Sequence, residues 1–322
     1  MTRLVLTSRD SGAGCLLRAG VGDIVIPFGF RFVWGELPSD AKLEAMIGPG
    51  SLDHFPQHRL GKFHAKEVGL LDLCERCEAV ELWFDPEPNA QLMLVQILDC
   101  LNSRKNIVSK LSLYQADVDI AQQRPETISE WKPPGIKIQI EHTEAANMAW
   151  QAYRQPTPRH WADLLDKDLS ALPQLRQTVM ELLEELPMPA TGLGATEMRM
   201  LELVAAGDAT PFDVFPGHQK RNTRRVFGYW EVGALLDGLA RGPAPAVAGL
   251  EEGPFTDEMH DAAARLARYR QSKLSLTPLG EAVSAQAEDF SRYNPINRWW
   301  GGTELTNDNL WRWDPHRALI AP

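Results

Sequence analysis

The chain has 322 residues, which is room for two or three domains at about 100–200 residues each. Hydrophobic residues make up 44% of it and charged residues 24%, proportions that exclude a disordered chain, a collagen and a coiled-coil rod. The net charge of −10 excludes a global cationic field that would attract nucleic acid or an anionic membrane.

The first part of the chain alternates strand-like and helix-like segments. Short apolar runs at 4–6, 23–26, 79–85 and 107–113 predict strands, and a glycine turn follows the first of them. The helical spacing of apolar residues over 91–101 predicts a helix. Strands separated by helices indicate a mostly parallel sheet with flanking helices. We therefore predict an α/β, Rossmann-like domain over 1–135.

Residues 136–190 predict a helical connector. The alternation at 136–140 predicts its only strand, and Thr143 is the expected N-cap of the helix that follows. Apolar spacing over 172–186 predicts another helix. The outer face of that helix carries three glutamates, namely Glu181, Glu184 and Glu185.

Residues 191–322 have a third pattern. The expected elements are a helix over 196–206, a helix starting at Thr210–Pro211, a helix over 226–240, a strand over 273–277 and a helix over 278–287. Three short helices followed by strands are typical of a winged-helix-like α+β domain. A small α+β domain with no nucleic-acid role fits nearly as well.

The C-terminus is rich in tryptophan. Segments 298–305 and 310–314 predict the two strands of a hairpin, with its turn at 306–309. Because each indole ring buries a large apolar area, we expect this hairpin to close a small core or to dock onto another domain.

The cysteine content and the hydropathy indicate the compartment. Four cysteines in a chain of this length are too few for a disulfide scaffold. The first apolar run is only Leu4–Leu6, whereas a signal peptide needs about 7–15 apolar residues and a spanning helix about 20. We expect a cytoplasmic, soluble protein with reduced thiols and no membrane contact.

Several short motifs follow one another along nearly the whole chain. They are Arg9-Asp-Ser-Gly-Ala-Gly14, Glu81-Leu-Trp-Phe-Asp85, Ala149-Trp-Gln-Ala-Tyr153, Leu183-Glu-Glu-Leu-Pro187, Gly192-Leu-Gly-Ala-Thr-Glu197, Asn297-Arg-Trp-Trp-Gly-Gly-Thr-Glu-Leu305 and Trp311-Arg-Trp-Asp314. In this order they resemble the bacterial family called domain of unknown function eighteen-thirty-five. The resemblance supports the architecture and carries no activity to transfer.

The glycine turn after the first strand is the first candidate site. Backbone amides at the start of a helix can hold an anion, so a small anionic ligand would contact Ser8, Asp10, Ser11, Gly12 and Gly14. A dinucleotide fingerprint would need a further glycine and a P-loop would need a lysine, and both are missing. A turn that simply requires small residues is the alternative interpretation.

Asp85 ends the strand that contains Trp83 and Phe84, so it should lie beside Asp10 on one edge of the sheet. Two neighbouring carboxylates could hold a divalent ion or divide acid and base roles. They could equally be solvated residues at strand ends or helix caps.

Cys74 and Cys77 form a C-x-x-C pair with histidines at 54, 58 and 64 upstream. A structural zinc site needs four convergent ligands, whereas Cys74 falls on an apolar helical run. We therefore expect a core cysteine and predict no metal, and the sequence identifies no cofactor.

One cationic cluster stands out, formed by Lys220, Arg221, Arg224 and Arg225. It precedes the helix that would enter a DNA groove in a winged-helix domain. Acidic residues outnumber basic ones over 191–322, so a solvated loop or a contact with a protein partner is the alternative.

These patterns support two hypotheses about function. The first is a regulatory or binding protein whose C-terminal domain contacts protein or nucleic acid and whose N-terminal domain senses a small anionic ligand. The second is an enzyme that acts on a phosphorylated or nucleotide substrate at the strand ends, using Asp10 and Asp85.

Overall fold

A computed structural model describes residues 2–60, 63, 67–115, 118–131, 133–207, 210–215, 225–316 and 318–322, without the side chains of Gln57 and His58. Two compact units make up the chain. Unit 1 is Met1–Phe32, Leu37–Arg154 and Asp166–Thr178, and unit 2 is Val33–Glu36, Gln155–Leu165 and Val179–Pro322. The connector expected over 136–190 is thus divided between the two units.

Unit 1 is built on a five-stranded sheet. Its strands are β1 (Arg3–Thr7), β2 (Ile24–Pro27), β3 (Ala79–Phe84), β4 (Leu111–Gln115) and β5 (Ile136–Lys137). Their spatial order is β2-β1-β3-β4-β5. The first four are parallel and β5 is antiparallel to β4, which confirms the predicted mixed α/β fold with a mostly parallel sheet.

Helices of unit 1 cover both faces of this sheet. They are α1 (Asp10–Arg18), α2 (Asp40–Ile47), α3 (Gln57–Leu60), α4 (Leu70–Arg76), α5 (Pro88–Leu101), α6 (Lys105–Val108), α7 (Pro125–Glu130) and α8 (Ile140–Tyr153). The face with Val5 and Trp83 packs with Leu16 of α1. The mostly buried α5 packs against α8. None of the helices in the described ranges is long and apolar enough to cross a bilayer.

Three local expectations for unit 1 are wrong. The run at 107–113 is not one strand, because α6 ends at Val108 and β4 begins at Leu111. The stretch 136–140 is not one strand, because β5 ends at Lys137 and α8 begins at Ile140. Thr143 therefore lies inside α8 and does not cap it. The backbone N–H of Gln139 donates to His142 Nδ1 at 3.1 Å, so His142 satisfies a backbone group at the start of the helix.

Unit 2 is mainly helical with small antiparallel pairs of strands. Its helices are α9 (Arg159–Ala162), α10 (Leu175–Glu184, which starts in unit 1), α11 (Ala195–Ala205), a helical stretch at 211–215, α12 (Tyr229–Arg241), α13 (Asp257–Asp261), α14 (Ala263–Gln271) and α15 (Pro278–Ser284). Strands β6 (Val247–Ala248) and β7 (Ser275–Leu276) pair across two intervening helices. The winged-helix-like description stays a prediction.

The tryptophan-rich end contains two hairpins, where the sequence predicts one. Strand β8 (Asn297–Trp300) pairs with β9 (Thr303–Thr306), and β10 (Arg312–Asp314) pairs with β11 (Ala318–Ile320). The first turn lies at Gly301, whose φ of +54° favours glycine. Trp300, Trp311 and Trp313 are buried, and Trp300 Nε1 donates to the Leu182 carbonyl at 2.7 Å, so this end closes the core of unit 2.

Candidate functional site

The ends of β1 and β3 meet at one edge of the sheet. These strands are parallel neighbours, and Thr7 lies opposite Trp83. Ser8 directly follows β1, and Asp85 directly follows β3. Both residues are 1% exposed, and Ser8 Oγ donates to Asp85 Oδ2 at 2.5 Å. Open α/β sheets bind ligands where the strand order reverses, which here is between β1 and β3. In this protein that position is filled by a buried pair of side chains.

The second carboxylate oxygen of Asp85 is also occupied. Asp85 Oδ1 accepts the backbone N–H of Ile120 at 2.8 Å, and the Asp85 carbonyl accepts from Gln91 Nε2 at 2.6 Å. Burial raises the pKa of Asp85, while the hydrogen bonds from Ser8 and Ile120 lower it. Asp85 therefore fastens the turn after β4 to the ends of β1 and β3.

An arginine that the sequence analysis did not single out joins the same three strand ends. Arg9 Nε donates to Glu87 Oε1 at 3.1 Å, and a second guanidinium nitrogen, Nη2, contacts Glu87 Oε2. Arg9 Nη1 lies 3.4 Å from Asp119 Oδ2. Arg9, Glu87 and Asp119 each follow a strand within four residues. Their positions after neighbouring strands were the only indication in the sequence that they would meet.

The predicted glycine turn is instead the first part of a helix. Helix α1 begins at Asp10, so Ser11, Gly12 and Gly14 lie within it. A Cβ on Gly12 would lie 3.6 Å from Thr7 Oγ1, and one on Gly14 would lie 3.5 Å from Arg18 Nη1, both at ordinary contact distance. Neither Gly12 nor Gly14 has a positive φ, so the backbone does not require glycine at these positions.

Asp10 is exposed and lies on a cavity of about 460 Å³ at the ends of β1 and β2. We call it the Arg59 cavity. Its lining is Asp10, Ile26, Pro27, Phe28, Gly29, Phe30, Met46, Ser51, Leu52, His54, Phe55, Pro56, Arg59 and Leu70. Asp85 is not part of this lining, so the two predicted carboxylates do not share an open site.

The lining of the Arg59 cavity is aromatic with a few polar groups. The Phe28 and Phe30 rings meet edge to face at 4.5 Å, and the Arg59 guanidinium lies 5.7 Å from the centre of the Phe55 ring. Within the described ranges, neither Asp10 nor Arg59 has an ion-pair partner. A cation and an anion are thus available to a ligand.

The C-x-x-C pair lies in the core of unit 1, as expected for Cys74. Cys74 and Cys77 are buried, and burial raises the pKa of the Cys74 thiol to about 12. His54 lies on the Arg59 cavity, whereas the His58 side chain and His64 are outside the described residues. In the described part of the chain, no three His, Cys, Asp or Glu residues converge as metal ligands.

Most of the predicted basic cluster lies outside the residues that the structure describes. Lys220, Arg221 and Arg224 are not among the described residues, and Arg225 is half-buried. The helix that follows, α12, carries Glu231 in its first turn, and Glu231 Oε2 accepts the backbone N–H of Gly228 at 2.8 Å. Of the four predicted basic residues, only Arg225 is therefore described.

The glutamates expected on the outer face of a helix are largely buried. Glu181 and Glu185 are 9% and 7% exposed. Glu185 Oε1 accepts from Thr196 Oγ1 at 2.5 Å, and Oε2 accepts the Thr196 backbone N–H at 3.2 Å. Glu185 thus satisfies the start of α11, a role that apolar spacing alone could not reveal.

Comparison with known proteins gives no relative from which a function could be transferred. The chain matches no protein-family model and no curated protein. Its resemblance to domain of unknown function eighteen-thirty-five stays a prediction from the motifs.

Proposed function

We propose that the protein is a ligand-binding regulatory protein whose unit 1 holds a small, ring-bearing anion in the Arg59 cavity. The observation that carries the proposal is the pairing of an available guanidinium, Arg59, with an available carboxylate, Asp10, in one aromatic cavity of about 460 Å³. Ligand sites are typically concave, mainly apolar and equipped with a few polar groups that orient the ligand.

The chemistry of the lining favours a nucleotide. Phe30 is half-buried on the lining and offers an aromatic surface for a base, beside the buried Phe28 and the half-buried Phe55. Arg59 suits a phosphate, because guanidinium groups form paired hydrogen bonds with phosphate oxygens. Asp10 would repel a phosphate and accept from hydroxyl groups, so we place a ribose beside Asp10 and the phosphate beside Arg59.

Thermal shift and calorimetry with three probes test this assignment. Adenosine supplies the ring, inorganic phosphate supplies the anion, and AMP supplies both; the mononucleotides of the other bases complete the panel. We expect a mononucleotide to raise the melting temperature more than either fragment. Arg59→Ala should weaken mononucleotide binding about tenfold or more, because it removes hydrogen bonds to a charged group.

Arg18→Ala is the matched control, since Arg18 is exposed at the other end of α1. It should leave binding unchanged. A panel without any shift, or equal binding by the wild type, Arg59→Ala and Asp10→Ala, would overturn the proposal. Consumption of a bound nucleotide, lost in Asp10→Ala, would favour the enzyme hypothesis instead.

For unit 2 we propose contact with a protein partner. Trp34 and Trp230 are 38% and 40% exposed, and large exposed aromatic side chains are enriched where proteins bind one another. Crosslinking between this protein and a partner protein tests this contact. Loss of the crosslinked complex in Trp230→Ala would support it, if the complex is kept in Tyr293→Ala, whose side chain is similarly exposed. DNA retention that collapses with salt and in a Lys220→Ala/Arg224→Ala variant would overturn it.

A further inference from the structure

Gly29 lies on the lining of the Arg59 cavity, between two phenylalanines that also line it. It is exposed and follows the end of β2 by two residues. Its φ is not positive, so the backbone does not require glycine at this position. A Cβ on Gly29 would have no atom within 4 Å, so the packing of the described residues does not require glycine either. The missing side chain instead leaves bare backbone on the cavity wall.

The peptide groups of Gly29 are available to a ligand. The backbone N–H of Phe28 donates to the Thr7 carbonyl at 2.5 Å, and that of Phe30 donates to the Phe28 carbonyl at 2.9 Å. By contrast, the N–H and the C=O of Gly29 have no hydrogen-bond partner among the described residues. Gly29 therefore offers one donor and one acceptor, with no side chain to hold a ligand away from them.

Aromatic surface lies directly beside this bare backbone. Phe30 follows Gly29 in the chain and is half-buried on the same lining, and its ring meets the Phe28 ring edge to face at 4.5 Å. A flat ring that stacks on Phe30 is therefore adjacent to the Gly29 backbone. Nucleobases combine such a ring with a polar edge, on which an exocyclic amino or oxo group stands next to a ring nitrogen.

We propose that the backbone of Gly29 recognises the polar edge of the base of a nucleotide in the Arg59 cavity, which makes Gly29 a specificity-determining residue. This inference rests on the proposed function and adds how the base is recognised. The Gly29 N–H donates to a ring nitrogen or an oxo group, and the Gly29 C=O accepts from an amino group or a ring N–H. The ligand class is thus nucleotides with an amino or oxo group at position 6 of a purine or position 4 of a pyrimidine.

Calorimetry on the full-length protein with matched ligands tests this recognition. If a purine mononucleotide binds tightest, its matched analogue is purine riboside 5′-monophosphate; if a pyrimidine does, the analogue is pyrimidin-2-one riboside 5′-monophosphate. Each analogue keeps the ring, the ribose and the phosphate and lacks the group at position 6 or 4. A site that hydrogen-bonds a polar group discriminates against an analogue without it. We expect the natural mononucleotide to bind about tenfold tighter or more.

Gly29→Val places a branched side chain over the same backbone. Because a side chain at this exposed position meets no other atom, the melting temperature of the free protein should not fall. Binding of the natural mononucleotide should weaken about tenfold or more, and the preference over the analogue should be lost. Gly238→Val is the matched control, since Gly238 is also exposed with no atom within 4 Å of a Cβ but lies on α12 in unit 2. It should leave binding unchanged.

The results separate this inference from the proposed function. Equal affinity for the natural mononucleotide and its analogue, or undiminished binding by Gly29→Val, would overturn the inference. If Arg59→Ala still weakens binding in that case, the proposed function stands without it. A wild-type protein that binds no mononucleotide would overturn the proposed function and this inference together.

Discussion

Ser8 Oγ donates to Asp85 Oδ2 at 2.5 Å, across the neighbouring ends of β1 and β3. This bond occupies the place where an open α/β sheet with this strand order usually binds its ligand. Open space lies one strand further along, beside β2, where Asp10 and Arg59 line a cavity. We infer that the pair stabilises the edge of the sheet and leaves ligand binding to the neighbouring cavity.

Removing the Ser8 hydroxyl should destabilise unit 1. Ser8→Ala takes one of two side-chain hydrogen bonds from a buried carboxylate, and we expect a loss of about 1–3 kcal/mol in the free energy of unfolding. Urea denaturation followed by circular dichroism measures it. Ser11→Ala, at an exposed position in the first turn of α1, should change stability by less than about 0.5 kcal/mol. Equal effects of the two substitutions would contradict the assigned role of the pair.

Two glycines of α12 should respond oppositely to alanine. A Cβ on Gly233 would lie 2.1 Å from Cδ1 of Phe255, which is buried among other aromatic rings. Gly233→Ala should therefore cost about 1–3 kcal/mol through overpacking. Gly238 is exposed with no atom within 4 Å of a Cβ, so Gly238→Ala should stabilise the helix by about 0.5–1 kcal/mol. Chemical denaturation of both variants decides whether α12 packs on Phe255 as described.

Glu185 should make stability depend on pH in an unusual direction. Burial raises the pKa of this carboxyl from 4.5 to about 7. Between these values the folded protein binds more protons than the unfolded chain, so the contribution of Glu185 to stability is present below about pH 4.5 and is lost as pH rises through 7. The full loss is on the order of 3 kcal/mol.

Glu185→Gln isolates this effect. The amide keeps an acceptor for Thr196 and cannot ionise, so the difference in unfolding free energy between wild type and variant should shift against the wild type from pH 5 to pH 8. Urea titrations at several pH values measure it. A pH-independent difference would mean that Glu185 titrates at its ordinary value and is not buried as described.

Much of the fold could be predicted because the signals are local. Apolar runs at 4–6, 23–26 and 79–85 each overlap a strand, and the adjacency of β1 and β3 agrees with the parallel α/β pattern. The start of α8 could not be predicted in this way. It depends on His142 accepting the Gln139 N–H, an interaction that apolar periodicity does not register.

The candidate site was less predictable because it depends on contacts between distant residues. Asp10 and Asp85 do follow neighbouring strands. However, both carboxylate oxygens of Asp85 accept hydrogen bonds, from Ser8 and Ile120, which lie 77 and 35 positions away in the sequence. Arg59 is brought to the end of β2 by a segment that has no clear periodicity in the sequence. Proximity of strand ends was predictable, whereas the burial of one carboxylate and the exposure of the other were not.

The most direct test of the ligand-binding claim is a crystal structure of the protein grown with the mononucleotide that gives the largest thermal shift. We predict electron density for the base against Phe28, Phe30 and Phe55, with the phosphate on the Arg59 guanidinium and the ribose beside Asp10. Density for that nucleotide at any other place, with the Arg59 cavity empty, would contradict it.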